Sequence, residues 1–292
     1  MTQVTEASAT ESFSLLADVV ASGGVLILSG AGLSTESGIP DYRGPTGLAR
    51  RVSGATPMTY QTFIGSAAAR RRYWARSYLG WRHIARAVPN DGHRAVAKLS
   101  RRGLLTGIIT QNVDGLHQAA GPVMGGAAVT ELHGSLHWVV CLSCGQRTPR
   151  TELARRLEAA NPGWDAELAA TLKPDGDADL DDEAIASFQV ADCSACHGVL
   201  KPDVVFFGEN VPRPRADACY ALVERSGALV VLGSSLTVMS GFRYVRHAAR
   251  RQRPIVIINQ GATRGDAYAT ATLDAPLGRT LTELVARIEE RR

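Results

Sequence analysis

The sequence predicts an α/β protein: a doubly wound, Rossmann-like parallel sheet with a smaller inserted zinc-binding module and a helical module. Three observations predict it. Strand-length apolar runs alternate with helix-like stretches along most of the chain. The first of these runs ends in a glycine-rich turn, the usual junction between strand and helix in such a sheet. Between Cys141 and Lys201 the composition changes, and two C-x-x-C pairs enclose an acidic run. The expected division is a sheet domain made of residues 13–48, 92–140 and 201–292, a helical module at 49–91 and a metal module at 141–200.

The elements follow in order. Residues 14–22 read as a short amphipathic helix, and 24–29 (GVLILS) as a buried parallel strand. Residues 48–88 are rich in arginine and aromatics at helical spacing, with Tyr73, Trp74, Tyr78 and Trp81 expected to fill a core. A helix at 92–100 and a second buried strand at 104–110 come next. A short strand at 129–132 precedes His133. Three further strands are expected at 204–207, 228–232 and 255–258, with a helix at 241–251 between the last two. An amphipathic helix at 281–292 closes the chain.

Composition narrows the function classes. With 292 residues, 45% hydrophobic and 21% charged, the chain can bury a full core, which excludes a disordered regulator or a disulfide-stapled mini-protein. No apolar run approaches the ~20 residues of a membrane helix. A net charge of +4 is too balanced to argue for nucleic acid. The N-terminal stretch, with Glu6 and Glu11, has neither a basic nor an apolar signal region, so a cytoplasmic protein is expected. In a reducing compartment, paired cysteine hooks point to metal rather than to disulfides.

Several motifs carry chemistry. GAGLSTESGIPDYRG, Gly30 to Gly44, begins G-x-G directly after a buried strand, where backbone N–H groups can approach a pyrophosphate. The dehydrogenase form fails, because Thr35 stands at the third glycine position and the acidic residue expected about 20 residues on is missing. An ordinary tight turn would leave the Pro-Asp-Tyr-Arg extension unexplained. TQNVDGLH, Thr110 to His117, follows the second strand and aims amides and a carboxylate at one crevice, or else caps itself as a polar loop. ELHGS puts His133 at a strand end, either as a satisfied structural group or as a general base, with His137 as local competitor. KPDVVFFGE, GSSL and INQG close later strands. Cys141, Cys144, Cys193 and Cys196 supply four thiolates, a closed and therefore structural tetrahedral zinc site. His197 is a rival ligand and Cys219 is left over.

In combination and in this order, these motifs resemble the sirtuins, the NAD-dependent protein-lysine deacylases. The resemblance runs from about Ser22 to the final helix. RYWARSYLGW, the long insert between the cysteine hooks and LKPDVVFFGENVP are similar to the class II branch. The resemblance implies that Gly30, Ala31, Gly32, Ser34, Ile39, Asp41, Tyr42 and Arg43 hold NAD. Gln111, Asn112 and Asp114 would serve the ribose and nicotinamide. Gly233, Ser234 and Ser235 would lie under the phosphates and adenosine ribose, with Asn259, Gln260, Gly261 and Leu277 as further adenosine contacts. Tyr42, Val205 and Phe207 would wall the acyl-lysine tunnel, and His133, with Asn112 and Asp114, would be catalytic.

The implied reaction consumes NAD as a substrate. The acyl-lysine carbonyl oxygen attacks C1′ of the ribose, nicotinamide leaves, and His133 takes a proton from the ribose hydroxyls. The freed 2′ oxygen attacks the imidate carbon, and water then releases free lysine and O-acyl-ADP-ribose. The peptide would add as a strand between the VVFFGE and GSSL edges. Three departures from the family pattern stand out: Tyr42 for Phe, Gly44 for Ser, and the pair Ser77 and Gly80 where an acidic-acyl branch has Tyr and Arg. The expected partners are acylated lysines on proteins, with neither nucleic acid nor membrane. Two alternatives are mono-ADP-ribosyl transfer from the same site and a non-catalytic zinc- or NAD-binding module. The presence of His133, Asn112 and Asp114 and the lack of a basic patch beside the hooks speak against the second.

Overall fold

The computed structural model describes residues 6–41, 58–121, 127–164, 180 and 182–291. In chain order its helices are α1 (Glu6–Ala21), α2 (Tyr60–Gly65), α3 (Ala67–Arg86), α4 (Asp91–Arg101), α5 (Leu116–Ala119), α6 (Arg150–Ala160), α7 (Asp182–Ser187), α8 (Arg213–Arg225), α9 (Met239–Arg250) and α10 (Leu277–Glu290). Among the described residues no helix is long and apolar enough to cross a membrane.

Strand β1 (Val25–Ser29) is buried at all five positions. A strand without polar alternation suits the middle of a parallel sheet covered on both faces, and β1 is central here. It pairs in parallel with β2 (Leu105–Thr110) on one side. The strand β3 (Val129–Glu131) lies beyond β2. Strands β4 (Gly134–Cys141), β5 (Arg147–Pro149) and β6 (Leu200–Val204) form a separate sheet. On the other side of β1 runs β7 (Ala228–Leu232), then β8 (Ile255–Ile258) and β9 (Ala271–Leu273), giving the order β3-β2-β1-β7-β8-β9. The chain builds outward from β1 in one direction, then restarts beside β1 in the other. That reversal between β1 and β7 is the topological switch point, where open α/β sheets bind ligands.

Alternate side chains divide the core. Val25, Ile27, Val230 and Val256 face α1, α4 and α10 through Leu16, Val96, Leu281 and Ile288. Leu26, Leu28, Val231 and Ile257 face α8 and α9 through Leu222, Val223, Phe242 and Val245. Cys219 is fully buried in this second layer.

The antiparallel sheet β5-β4-β6 is the base of the metal module. Its core joins α2 and α3 to the module through Phe63, Tyr73, Trp74 and Tyr78 packed on Leu153, Phe188 and Leu200. Trp81 packs in a neighbouring cluster with Ile39, Ile84 and Leu136. The helical aromatics are thus core residues, as their spacing predicts.

The strand expected at 204–207 differs. The strand is β6, which runs antiparallel to β4 rather than joining the parallel sheet. Residues 205–207 leave the ladder and turn toward the cavity at the switch point, keeping one bridge between Phe207 and Thr59. Within the acidic run, residues 175–179 and 181 lie outside the described part, and α7 begins at Asp182.

A candidate NAD and acyl-lysine site at the switch point

The site begins with backbone. After β1 and β7 come Gly30 and Gly233, and their turns touch. Gly30 N–H donates to the Leu232 carbonyl and Gly32 N–H to that of Gly233, each at 2.9 Å. A Cβ on Gly30 would lie 2.7 Å from the Ser234 Cβ, and one on Gly32 would lie 2.9 Å from the Gly233 Cα. Gly233 itself has φ +60°, the left-handed region that favours glycine. The G-x-G and GSS turns are glycine-rich because two backbones meet there.

Above them opens a cavity of about 890 Å³, within the range of cofactor-sized sites. Its lining takes in Gly30, Ala31, Gly32, Ser34, Ile39 and Asp41 from the first turn. Gln111, Asn112, Asp114 and His133 line it too, as do Gly233, Ser234 and Ser235 after β7. Asn259, Gln260, Gly261 and Leu277 belong to the same lining, together with Val205 and Phe207. Tyr42 and Arg43, and the Gly44 departure, lie outside the described residues.

A hydrogen-bond network sets the polar groups. Ser34 Oγ donates to Asp114 Oδ2 at 2.7 Å, and Asn112 Nδ2 donates to Ser34 Oγ at 3.0 Å and to the Gly30 carbonyl at 3.1 Å. Leu116 N–H donates to Asp114 Oδ1 at 2.9 Å. Burial raises the Asp114 pKa, while the Leu116 and Ser34 donors pull it back. Gln111 Nε2 donates to Ser234 Oγ at 2.8 Å, joining the two halves of the sheet across the switch point. The polar-loop reading of TQNVDGLH is therefore partly right: the loop bonds inward, and in doing so it presents its groups to the cavity.

His133 sits where β3 ends. Its Nδ1 is 2.9 Å from the Gln111 carbonyl and its Nε2 is 2.7 Å from Ser240 Oγ. A carbonyl only accepts, so Nδ1 carries the hydrogen and Nε2 is the basic nitrogen, accepting from the Ser240 hydroxyl. Burial lowers the His133 pKa below 6.5; the Gln111 carbonyl opposes this and Arg215 adds to it. The imidazole is neutral at pH 7 and ready to accept a proton. The competitor His137 instead bonds the Asp114 carbonyl at 2.9 Å and stacks edge-on with Trp81.

Other cavity residues escaped the sequence reading. Ser240 and Arg243 belong to the first turns of α9 and line the cavity, but a lone serine and arginine after GSSL carry no motif. Glu36 lies inside a motif that was read, and its Oε1 accepts Gly278 N–H at 3.0 Å, tying the first turn to α10. Tyr73 lines the cavity as well as the aromatic core, and only the second role has a periodic signal.

The cysteines lie apart, at the far end of the β4–β6 sheet. The sulfurs of Cys141, Cys144, Cys193 and Cys196 all fall within 4.8 Å of one another. Cys141 and Cys196 are 3.5 Å apart, Cys144 and Cys193 3.8 Å. Four sulfurs at the usual Zn–S distance of about 2.3 Å stand about 3.8 Å apart in a tetrahedron, so the set fits one zinc ion. His197 has φ 58° and closes the second knuckle turn, outside the ligand cluster.

A doubly wound sheet with a glycine-lined cleft at its switch point, a basic imidazole in the cleft wall and a four-cysteine module beside it defines a class of NAD-site protein. The Sir2 family model matches residues 30–240. An NAD-dependent protein deacetylase of Streptomyces coelicolor is 60% identical over 94% of this chain and 89% of its own length. One of Mycobacterium avium is 49% identical over 89% of each. A solved Sir2 structure with a p53 peptide and NAD+ superposes with a TM-score of 0.72 at 28% identity, covering 96% of this chain and 98% of that one. The chain belongs to the Sir2 family.

Proposed function

We propose that the protein is an NAD-dependent protein-lysine deacetylase that transfers the acyl group to ADP-ribose and releases nicotinamide, in the class II branch. The observation that carries this reading is His133, whose Nδ1 is fixed on the Gln111 carbonyl and whose basic Nε2 belongs to the wall of a cavity large enough for a dinucleotide. NAD is a substrate here. The touching glycines leave room for its diphosphate against bare backbone. Asn259, Gln260, Gly261 and Leu277 take the adenosine end. Asn112 and Asp114, pre-set by Ser34, hold the ribose and carboxamide of the nicotinamide end. Val205 and Phe207, with Tyr42, flank the acyl-lysine. His133 then removes the proton from a ribose hydroxyl, which frees that oxygen to attack the acyl carbon.

The chain divides, in this reading, into a sheet domain, a helical module and a zinc module, with limits near those expected from the sequence except that β4 and β6 go with the zinc module. Reduced thiolates at the hooks suit the cytoplasm, and the balanced charge suits protein rather than nucleic acid as partner. The test is nicotinamide release measured with NAD and an acetyl-lysine peptide, each omitted in turn. Release that requires both supports deacetylation. Release that continues without the acyl peptide, with ADP-ribose attached to protein, would replace this reading with mono-ADP-ribosyl transfer.

A further inference from the structure

The segment 204–209 forms one wall of the cavity and is the edge against which the acyl-lysine peptide would lie. It is held by few backbone bonds. Val205 N–H donates to the His133 carbonyl at 2.8 Å, and Tyr60 N–H donates to that of Phe207 at 2.9 Å. Between these two points the chain turns out of β6 without a ladder to support it.

An ion pair between a buried lysine and a half-buried glutamate closes the turn. Lys201, on β6, has a side chain only 5% exposed, and its Nζ lies 3.1 Å from Glu209 Oε2. The same Nζ donates to the Val204 and Pro202 carbonyls. Glu209 Oε2 also accepts Phe206 N–H at 2.8 Å, and Glu209 N–H donates back to the Phe206 carbonyl at 3.0 Å. The ammonium lies 4.9 Å from the centre of the Phe206 ring. That ring packs at 5.2 Å on both Phe63 and Tyr73. One lysine and one glutamate thus fix both ends of the turn, its central amide and its aromatic anchor.

A charge pair with one partner buried is a poor source of net stability, because desolvation of that partner offsets much of the attraction. Its value lies in fixing one geometry. We propose that Lys201 and Glu209 are positioning residues that clamp the peptide-binding edge and the acyl-tunnel wall, and so govern acyl-peptide affinity without touching NAD. This rests on the deacetylase reading. Lys201 reaches the chemistry through the backbone of 204–208 and the Val205 bond to His133, while Glu209 itself stands in the cavity lining.

The test compares wild type, Lys201→Met, Glu209→Gln and the double variant, all with metal bound. Acetyl-lysine peptide affinity is read by fluorescence anisotropy, NAD affinity by calorimetry, and KM for each substrate by turnover. Lys201→Met should weaken the peptide about tenfold in Kd and KM while NAD stays within about twofold, since a wall displaced by an ångström costs that much or more. Glu209→Gln keeps an acceptor for Phe206 N–H and should give a smaller shift. The double variant should recover part of the Lys201→Met loss by removing the orphaned carboxylate. Glu209→Gln against wild type carries the comparison if Lys201→Met does not fold. Peptide and NAD affinities falling together in the variants, or neither changing in an active enzyme, would overturn the clamp. A wild-type chain that neither binds nor turns over the peptide would overturn the deacetylase reading and the clamp with it.

Discussion

At the scale of single residues, the proposed role of His133 as base rests on the constraint on its other nitrogen. Because Nδ1–H is committed to the Gln111 carbonyl, the ring presents one tautomer and one basic atom. His133→Ala should lower turnover by ~10²–10⁴, the usual cost of losing a general base, with NAD affinity by calorimetry unchanged. A variant keeping a large share of wild-type turnover would remove His133 from its role. Burial lowers the His133 pKa from its ordinary 6.5, so the neutral base is the main form at pH 7 and above. The turnover profile should therefore have its acid limb centred below pH 6.5. An acid limb centred above 7 would mean that another group titrates.

At the scale of elements, the metal module and the cleft share one strand. Cys141 ends β4, its partner across the ladder is Leu200, and Lys201 follows directly on β6. Losing the metal should loosen this sheet, since a structural zinc site contributes folding free energy. Cys193→Ser is expected to abolish zinc binding and lower the melting temperature, whereas Cys219→Ser should retain one zinc per chain by metal analysis. Zinc retained in Cys193→Ser would show the ligand set to be wrong.

The same strand shows where sequence reasoning stopped. β1, β7 and β8 were legible because a strand buried on both faces is apolar throughout. VVFF in 204–207 has the same apolar look for another reason: Phe206 fills an aromatic cluster and Val205 and Phe207 line a cavity. β6 proper, LKPDV, carries a lysine, a proline and an aspartate, and only its position beside β4 makes it a strand. Three-residue β9 is too short for any period to register. The glycine turns were legible as a ligand site. That Gly30 and Gly32 abut Gly233 was not, because the contact joins residues some two hundred positions apart.

At the scale of the whole molecule, a buried histidine pair sits beside the end of β1. His117 Nε2 is 2.8 Å from Ser29 Oγ at the end of β1, and its ring meets that of His93 on α4 at 5.2 Å. Burial lowers both pKa values from 6.5, to about 4 for His117 and about 3 for His93. Both rings are neutral in the fold across a range where the unfolded chain takes up protons. Stability is therefore full above pH 6.5 and falls as the pH drops toward 4, by about 1.4 kcal/mol per pH unit for each such proton. Denaturant titrations between pH 7 and 4 should show that slope, and His117→Gln should reduce it by removing one of the two protons. An unchanged slope in the variant would place the acid sensitivity elsewhere.

The central claim is that one cleft, at the reversal between β1 and β7, brings NAD and an acyl-lysine to the same base. Following an isotopically labelled acetyl group tests this most directly. A labelled acetyl-lysine peptide is incubated with NAD, and all products are resolved by mass. The account predicts the label on ADP-ribose, with nicotinamide and deacetylated peptide formed in equal amounts and each lost together in His133→Ala. Label released as free acetate while NAD stays intact would contradict it.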